Sequence, residues 1–153
     1  MRSIRPALIV LLLALGGCVT PLEPDNYPDR FDVTQLDTDQ FRIEYSGWPS
    51  ADDEMVTDLA LLSSAETALQ NGFHYFVVVD GDSAQEIGSA DPPMPDAEYL
   101  EHNGMRYRVT APGDANHIIC FHDSNASSGY VALFVKASLR ARYQLDRAGP
   151  SQP

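Results

Sequence analysis

The sequence predicts a single small α+β domain of two layers, and three observations carry that expectation. Of 153 residues, 44% are hydrophobic, enough to build one core and hardly two. Apolar residues alternate with charged ones at 41–45 (FRIEY), the pattern of a half-buried strand, whereas 50–70 carry them at helical spacing. A dense β-branched and aromatic run at 74–79 (HYFVVV) reads as a strand buried on both faces. The resulting order is β-α-β-β-β-α: a βαβ unit, a β-hairpin and a C-terminal helix.

Each element follows from local chemistry. Ser46-Gly47-Trp48-Pro49 breaks the first strand. Ser50 caps the helix, Asp53 completes a capping box, and Asp52 and Glu54 add carboxylates at the positive end of the dipole. The helix stops at Asn71-Gly72, a favourable left-handed terminus. Met55, Leu59, Leu62 and Leu69 form its apolar stripe, flanked by Leu61 and Ala65. The short links predict parallel strands joined by a right-handed crossover. Residues 80–103 hold Gly81, Gly88, Pro92, Pro93 and Pro95 among acids, and read as a long exposed loop. Residues 105–110 (MRYRVT) and 117–122 (HIICFH) read as a hairpin turning at 111–114. Residues 129–143 predict the last helix, with Val131, Val135 and Leu139 on one face and Arg140 and Arg142 near its negative end. A strand at 130–135 (YVALFV) competes with that reading.

The N-terminus reads as an address. Arg2 and Arg5 precede nine apolar residues, 7–15, the length of a signal-peptide core and too short to span a bilayer. Behind them, Leu15-Gly16-Gly17-Cys18 resembles the lipobox of bacterial lipoproteins. That resemblance implies cleavage between Gly17 and Cys18 and acylation of the Cys18 sulfur by palmitate-type chains, a stable membrane anchor. In Gram-negative members, a non-Asp residue such as Val19 behind the cysteine implies sorting to the outer membrane. The domain organisation expected is a signal peptide at 1–17, a lipidated cysteine and tether at 18–39, the α+β domain at 40–146, and a disordered tail at 147–153. The tether segment 19–39 contains three prolines, six acids and one arginine, a composition that favours a solvated chain, although Tyr27 or Phe31 can pack on the domain.

Charge excludes some partners. Ten basic residues against 22 acidic ones give −12, which argues against nucleic acid and against a polybasic lipid contact. Without residues 1–17 the balance is eight against 22, a net −14. The charge is also split: residues 18–101 hold 19 acids and only Arg30 and Arg42, while 102–153 hold three acids and six bases. With Cys18 acylated, Cys120 is the one free thiol and no internal disulfide forms.

The segment 41–80 also resembles a family of small proteobacterial lipoproteins. The matching residues are Gly47 at a strand end, Ala65-Glu66 near a helix end, and Gly72-Phe73-His74-Tyr75-Phe76 entering an apolar strand. Tyr130-x-Ala132…Val135 is similar to a helix start in the same family. This chain departs at Val131, Leu133 and Phe134, where that helix is usually polar, so its exposed face is a candidate contact. The resemblance implies fold and location, and no activity.

Three groups of residues carry candidate chemistry. Glu66 lies close to the centre of the helical stripe, a candidate buried acid that needs a partner such as Arg42, Arg106 or Arg108. His117, Cys120, His122 and Asp123 form the one cluster with a nucleophile, but i, i+2 spacing on a strand separates Cys120 and His122 by about 7 Å, which does not favour a dyad and suits a two-ligand metal patch rather better, with no further ligand named. Asp80-Gly-Asp82-Ser83 resembles a fragment of a calcium loop, with Glu86 at the wrong position to close it. No cofactor, metal site or catalytic residue is assigned. The expectation is a non-enzymatic lipoprotein, an accessory or interaction module of the cell envelope with an envelope protein as partner. The alternatives are a cation or small-ligand domain using the acidic loop 80–101, and a minor enzyme using the Cys120/His122 region.

Overall fold

The computed structural model describes residues 24–47, 53–89, 93–124 and 128–146. Two helices lie on one face of an antiparallel sheet, a single α+β domain. The chain enters through a 3₁₀ helix, Pro24–Arg30, and a hairpin of strands β1 (Phe31–Asp37) and β2 (Gln40–Tyr45). Helix α1 (Asp53–Gln70) leads to the long strand β3 (Tyr75–Glu86), the hairpin β4 (Tyr99–His102) and β5 (Met105–Val109), and strand β6 (Ala115–Phe121). A two-residue strand, β7 (Tyr130–Val131), runs directly into helix α2 (Ala132–Arg142). The predicted Ser50 cap and the tail at 147–153 lie outside the described residues.

The sheet order is β1-β2-β6-β3-β5-β4, with β7 also on β3. Strands β2 and β3 both run antiparallel to β6, so they are parallel to each other with β6 between them. The βαβ unit is therefore split. The predicted hairpin between 105–110 and 117–122 does not form: β5 and β6 take opposite edges of β3. The reason is burial. Residues 118–120 (Ile-Ile-Cys) are apolar on both faces and require a central strand with neighbours on each side.

Two further corrections concern loops. Residues 24–37, placed in the tether by composition, belong to the domain, because Tyr27 and Phe31 join the core. The predicted loop 80–103 is shorter, since β3 continues to Glu86 through a bulge and β4 begins at Tyr99. The β4–β5 turn is Asn103-Gly104, both at positive φ (50° and 78°), the pair that two-residue hairpin turns favour.

Packing on the sheet has two sides. Phe41, Ile43, Phe76, Val78, Ile118 and Cys120 face the helices, meeting Leu59, Leu62 and Ala65 of α1 and Val135 and Leu139 of α2. Fully burying a side chain such as Leu59 contributes about 2 kcal/mol. Val56, Ala60, Thr67 and Ala68 are buried as well, so α1 is enclosed on more than the predicted stripe, and Met55 and Leu69 sit at its margin. On the other side Val77, Val79 and Ile119 are covered by Tyr107, Leu100 and Met105, so the sheet curls over itself. His102 of β4 reaches Asp39 in the β1–β2 turn at 2.9 Å and packs edge-on against Phe121. That contact ties one end of the strand order to the other.

Helix α1 ends as predicted. Gly72 takes φ +83°, Phe73 N–H donates to the Ala68 carbonyl at 2.9 Å, and Gly72 N–H to that of Leu69 at 3.1 Å. Both bonds define a Schellman terminus, and buried Phe73 anchors it. At α2 the competing readings are both met in part, two residues of strand followed by helix. Val131 does not share the buried face of Val135 and Leu139 but is exposed, as expected of the candidate contact.

Candidate functional site

The helix layer holds the first candidate, Glu66, whose side chain is 18% exposed. Its position one turn from the end of α1 faces both the 3₁₀ helix and α2. Tyr27 Oη donates to Glu66 Oε2 at 2.5 Å, and Arg140 Nη1 donates to Oε1 at 3.0 Å. Lys136 Nζ stands 3.8 Å from the same oxygen. The partners are thus Tyr27, Arg140 and Lys136, and not Arg42, Arg106 or Arg108. Burial, and then the hydrogen bond to the Glu66 carboxylate, holds the Tyr27 hydroxyl far above the usual phenol range. Arg140 is held charged by Asp146, 2.7 Å away, and by Glu66.

A second bridge runs along the same helix pair. Arg142 donates to Asp58 and Glu54, each at 2.6 Å, and Tyr143 Oη donates to Asp58 at 2.8 Å. Burial and that carboxylate push the Tyr143 hydroxyl up to about 12. The helix layer is a clamp of carboxylates on α1 and cations on α2. Its chemistry is structural: every carboxylate oxygen named here is already met by a donor. Sequence reasoning missed Tyr27 and Arg140 as partners of Glu66; an aromatic residue in a Pro-rich segment, and a cation one turn beyond Lys136, were the available signals.

The 117–123 cluster is divided by the sheet. Cys120 faces the helices and is buried, and burial followed by the nearby Asp39 carboxylate pushes its thiol up to about 12. A thiol so protonated is a poor nucleophile and a poor metal ligand. His122 packs at a tilt against Phe73 with ring centroids 4.7 Å apart, its Nδ1 3.2 Å from the Gly72 carbonyl oxygen. His117 lies on the opposite face, 3.1 Å from Gln40 Oε1 and edge-on to Tyr107. Burial, and then the charge of Arg42, lower its pKa and keep the ring neutral. Gly81 passes so close that a Cβ there would stand 2.4 Å from His117 Nδ1. A shallow cleft of about 370 Å³ joins Cys120, His122 and Asp123 to Thr38, Asp39 and Phe73. Asp39 turns one oxygen to His102 and leaves the other, Oδ1, buried with no hydrogen-bond partner. Sequence reasoning missed Asp39, a turn residue with no local pattern to mark it.

In the bulge of β3, Asp80 is also satisfied from within the chain. Arg108 pairs with Asp80 Oδ2, and Asp82 N–H donates to Asp80 Oδ1 at 3.1 Å. Ser83 Oγ donates to the Asp80 carbonyl at 2.6 Å and accepts from Arg108 N–H at 2.8 Å. Asp80 therefore closes a bulge, and its carboxylate is turned inward to an arginine. Among the described residues no group of three or more His, Cys, Asp or Glu is placed to hold a metal ion. Gly17 and Cys18 lie outside the described residues.

The predicted contact face of α2 is exposed. Leu133 and Phe134 are 66% and 71% exposed, and Val131 precedes them at 46%. No helix among the described residues is long and apolar enough to cross a membrane. No protein family, curated protein or solved structure matches the chain.

Proposed function

We propose that the protein is a lipid-anchored lipoprotein of the cell envelope, attached through Cys18 and acting as a non-enzymatic accessory or interaction module on the periplasmic side of a Gram-negative outer membrane. The observation that carries this reading is Leu15-Gly16-Gly17-Cys18, set directly behind nine apolar residues and two arginines. The interior supports a binding rather than a catalytic role. Cys120 is buried and protonated, and the carboxylates of the helix clamp and Asp80 of the β3 bulge already hold cations of the chain itself. The partner expected is an envelope protein, met through surface features of the domain.

Labelling with radioactive palmitate tests the anchor. The wild-type chain takes up label and runs at the size of residues 18–153, while Cys18→Ala takes up none and keeps its first 17 residues. An unlabelled wild-type chain contradicts the reading. Crosslinking in isolated envelopes tests the module role, and the expected result is one reproducible protein adduct.

A further inference from the structure

We propose that the outer face of α2, centred on Leu133 and Phe134, rests in the headgroup layer of the same membrane that holds Cys18; this rests on the lipoprotein reading above. The face is apolar by construction. Ala132, Val135 and Leu139 point into the core, so at 100° per residue Leu133, Phe134, Ala137 and Ala141 occupy the outward arc, and all four are exposed. Lys136 and Arg140 run along one flank of that arc, three and seven residues beyond Leu133, where basic side chains border an interfacial helix.

The length of the tether decides what covers this face. Tyr27 is only 4% exposed and hydrogen-bonded to Glu66, the residue that Arg140 and Lys136 of α2 also approach. The chain therefore joins the domain beside the flank of α2. From Cys18 to Pro24 there are six residue steps, at most about 20 Å even fully extended. Such a link keeps the flank of α2 beside it within about 20 Å of the lipid surface, within reach for the outer face of the helix to rest there.

Charge agrees with that orientation. Strand β7, the root of α2, pairs with Tyr75 and Phe76 at the start of β3. Asp82 and Glu86 lie towards the other end of the strand, as much as roughly 30 Å away along it. Asp82 and Glu86 are thus held off an anionic surface, while the cations of α2 are balanced by Glu54, Asp58, Glu66 and Asp146. Contact through a near-neutral apolar face depends weakly on anionic lipid and on salt.

The test uses the full acylated chain in phosphatidylethanolamine–phosphatidylglycerol vesicles with brominated acyl chains. Phe134→Trp, in a Trp48→Phe background, reports the α2 face, and Ile87→Trp reports an exposed site beyond the end of β3. Circular dichroism first shows that each variant is folded. The expected result is that the F134W indole shifts to the blue and loses emission to the brominated lipid, whereas the I87W indole does neither. If the chain floats with the vesicles but the F134W indole is not quenched, the docking face is overturned and anchoring stands. Light scattering and crosslinking then show whether a second copy or another protein covers the helix. If the chain does not float with the vesicles, the anchoring reading falls and the docking face falls with it.

Discussion

Cys120 and His117 sit three residues apart on one strand, and the sheet gives them opposite environments. Cys120 faces the helices and its thiol is pushed up to about 12. It should resist a thiol reagent in the native protein and react only as the chain unfolds, which labelling across a denaturant series checks; fast native labelling would contradict the buried placement. His117 has a lowered pKa from burial and from Arg42. Unfolded, it titrates near 6.5, so below that pH the unfolded chain binds a proton that the folded chain refuses. Folding stability is then lost as pH falls from about 6.5 towards the folded value, and the loss levels off below it. Denaturant melts at several pH values should show this slope, and His117→Gln should flatten it. The burial of Cys120 was legible in its apolar neighbours. The identity of the groups around His117 was not, because Gln40, Tyr107 and Gly81 come from three other strands.

At the scale of elements, the helix clamp is the feature that most depends on distant parts of the chain. Position on α1 predicts that Glu66 is partly buried and paired, and it is. Its partners could not be read locally, since Tyr27 lies 39 residues before it and Arg140 74 residues after. Glu66→Ala leaves a phenol and a guanidinium without their acceptor and should cost about 2 kcal/mol in chemical denaturation, with Tyr27→Phe costing about 1 kcal/mol. If Glu66→Ala is neutral, the clamp does not hold the helix pair together. The end of α1 was legible to the residue. Gly72→Ala forces a Cβ into the left-handed region and should cost about 1–2 kcal/mol. Other signals were outweighed by composition. Prolines and acids hid the 3₁₀ helix and β1 in an apparent tether, and the same bias hid Asn103-Gly104, a strong hairpin pair, inside an apparent loop.

For the whole molecule, the sequence splits into an acidic first part and a basic second part, and the fold joins them. Arg106 pairs with Glu101, Arg108 with Asp80, Arg140 with Glu66, and Arg142 with Glu54 and Asp58. The α+β class followed from periodicity, but strand order did not. A strand apolar on both faces can lie anywhere central, and only tertiary packing chose β6 to separate β2 from β3. What the fold adds to the address at the N-terminus is distance: residue 27 is already locked to the domain, leaving a short link to Cys18. The intact mass of the protein extracted from membranes tests this account most directly. The predicted mass is that of residues 18–153 carrying a diacylglyceryl group on Cys18, with or without a third acyl chain on its amine. A mass that begins before Cys18, or that leaves Cys18 unmodified, would contradict it.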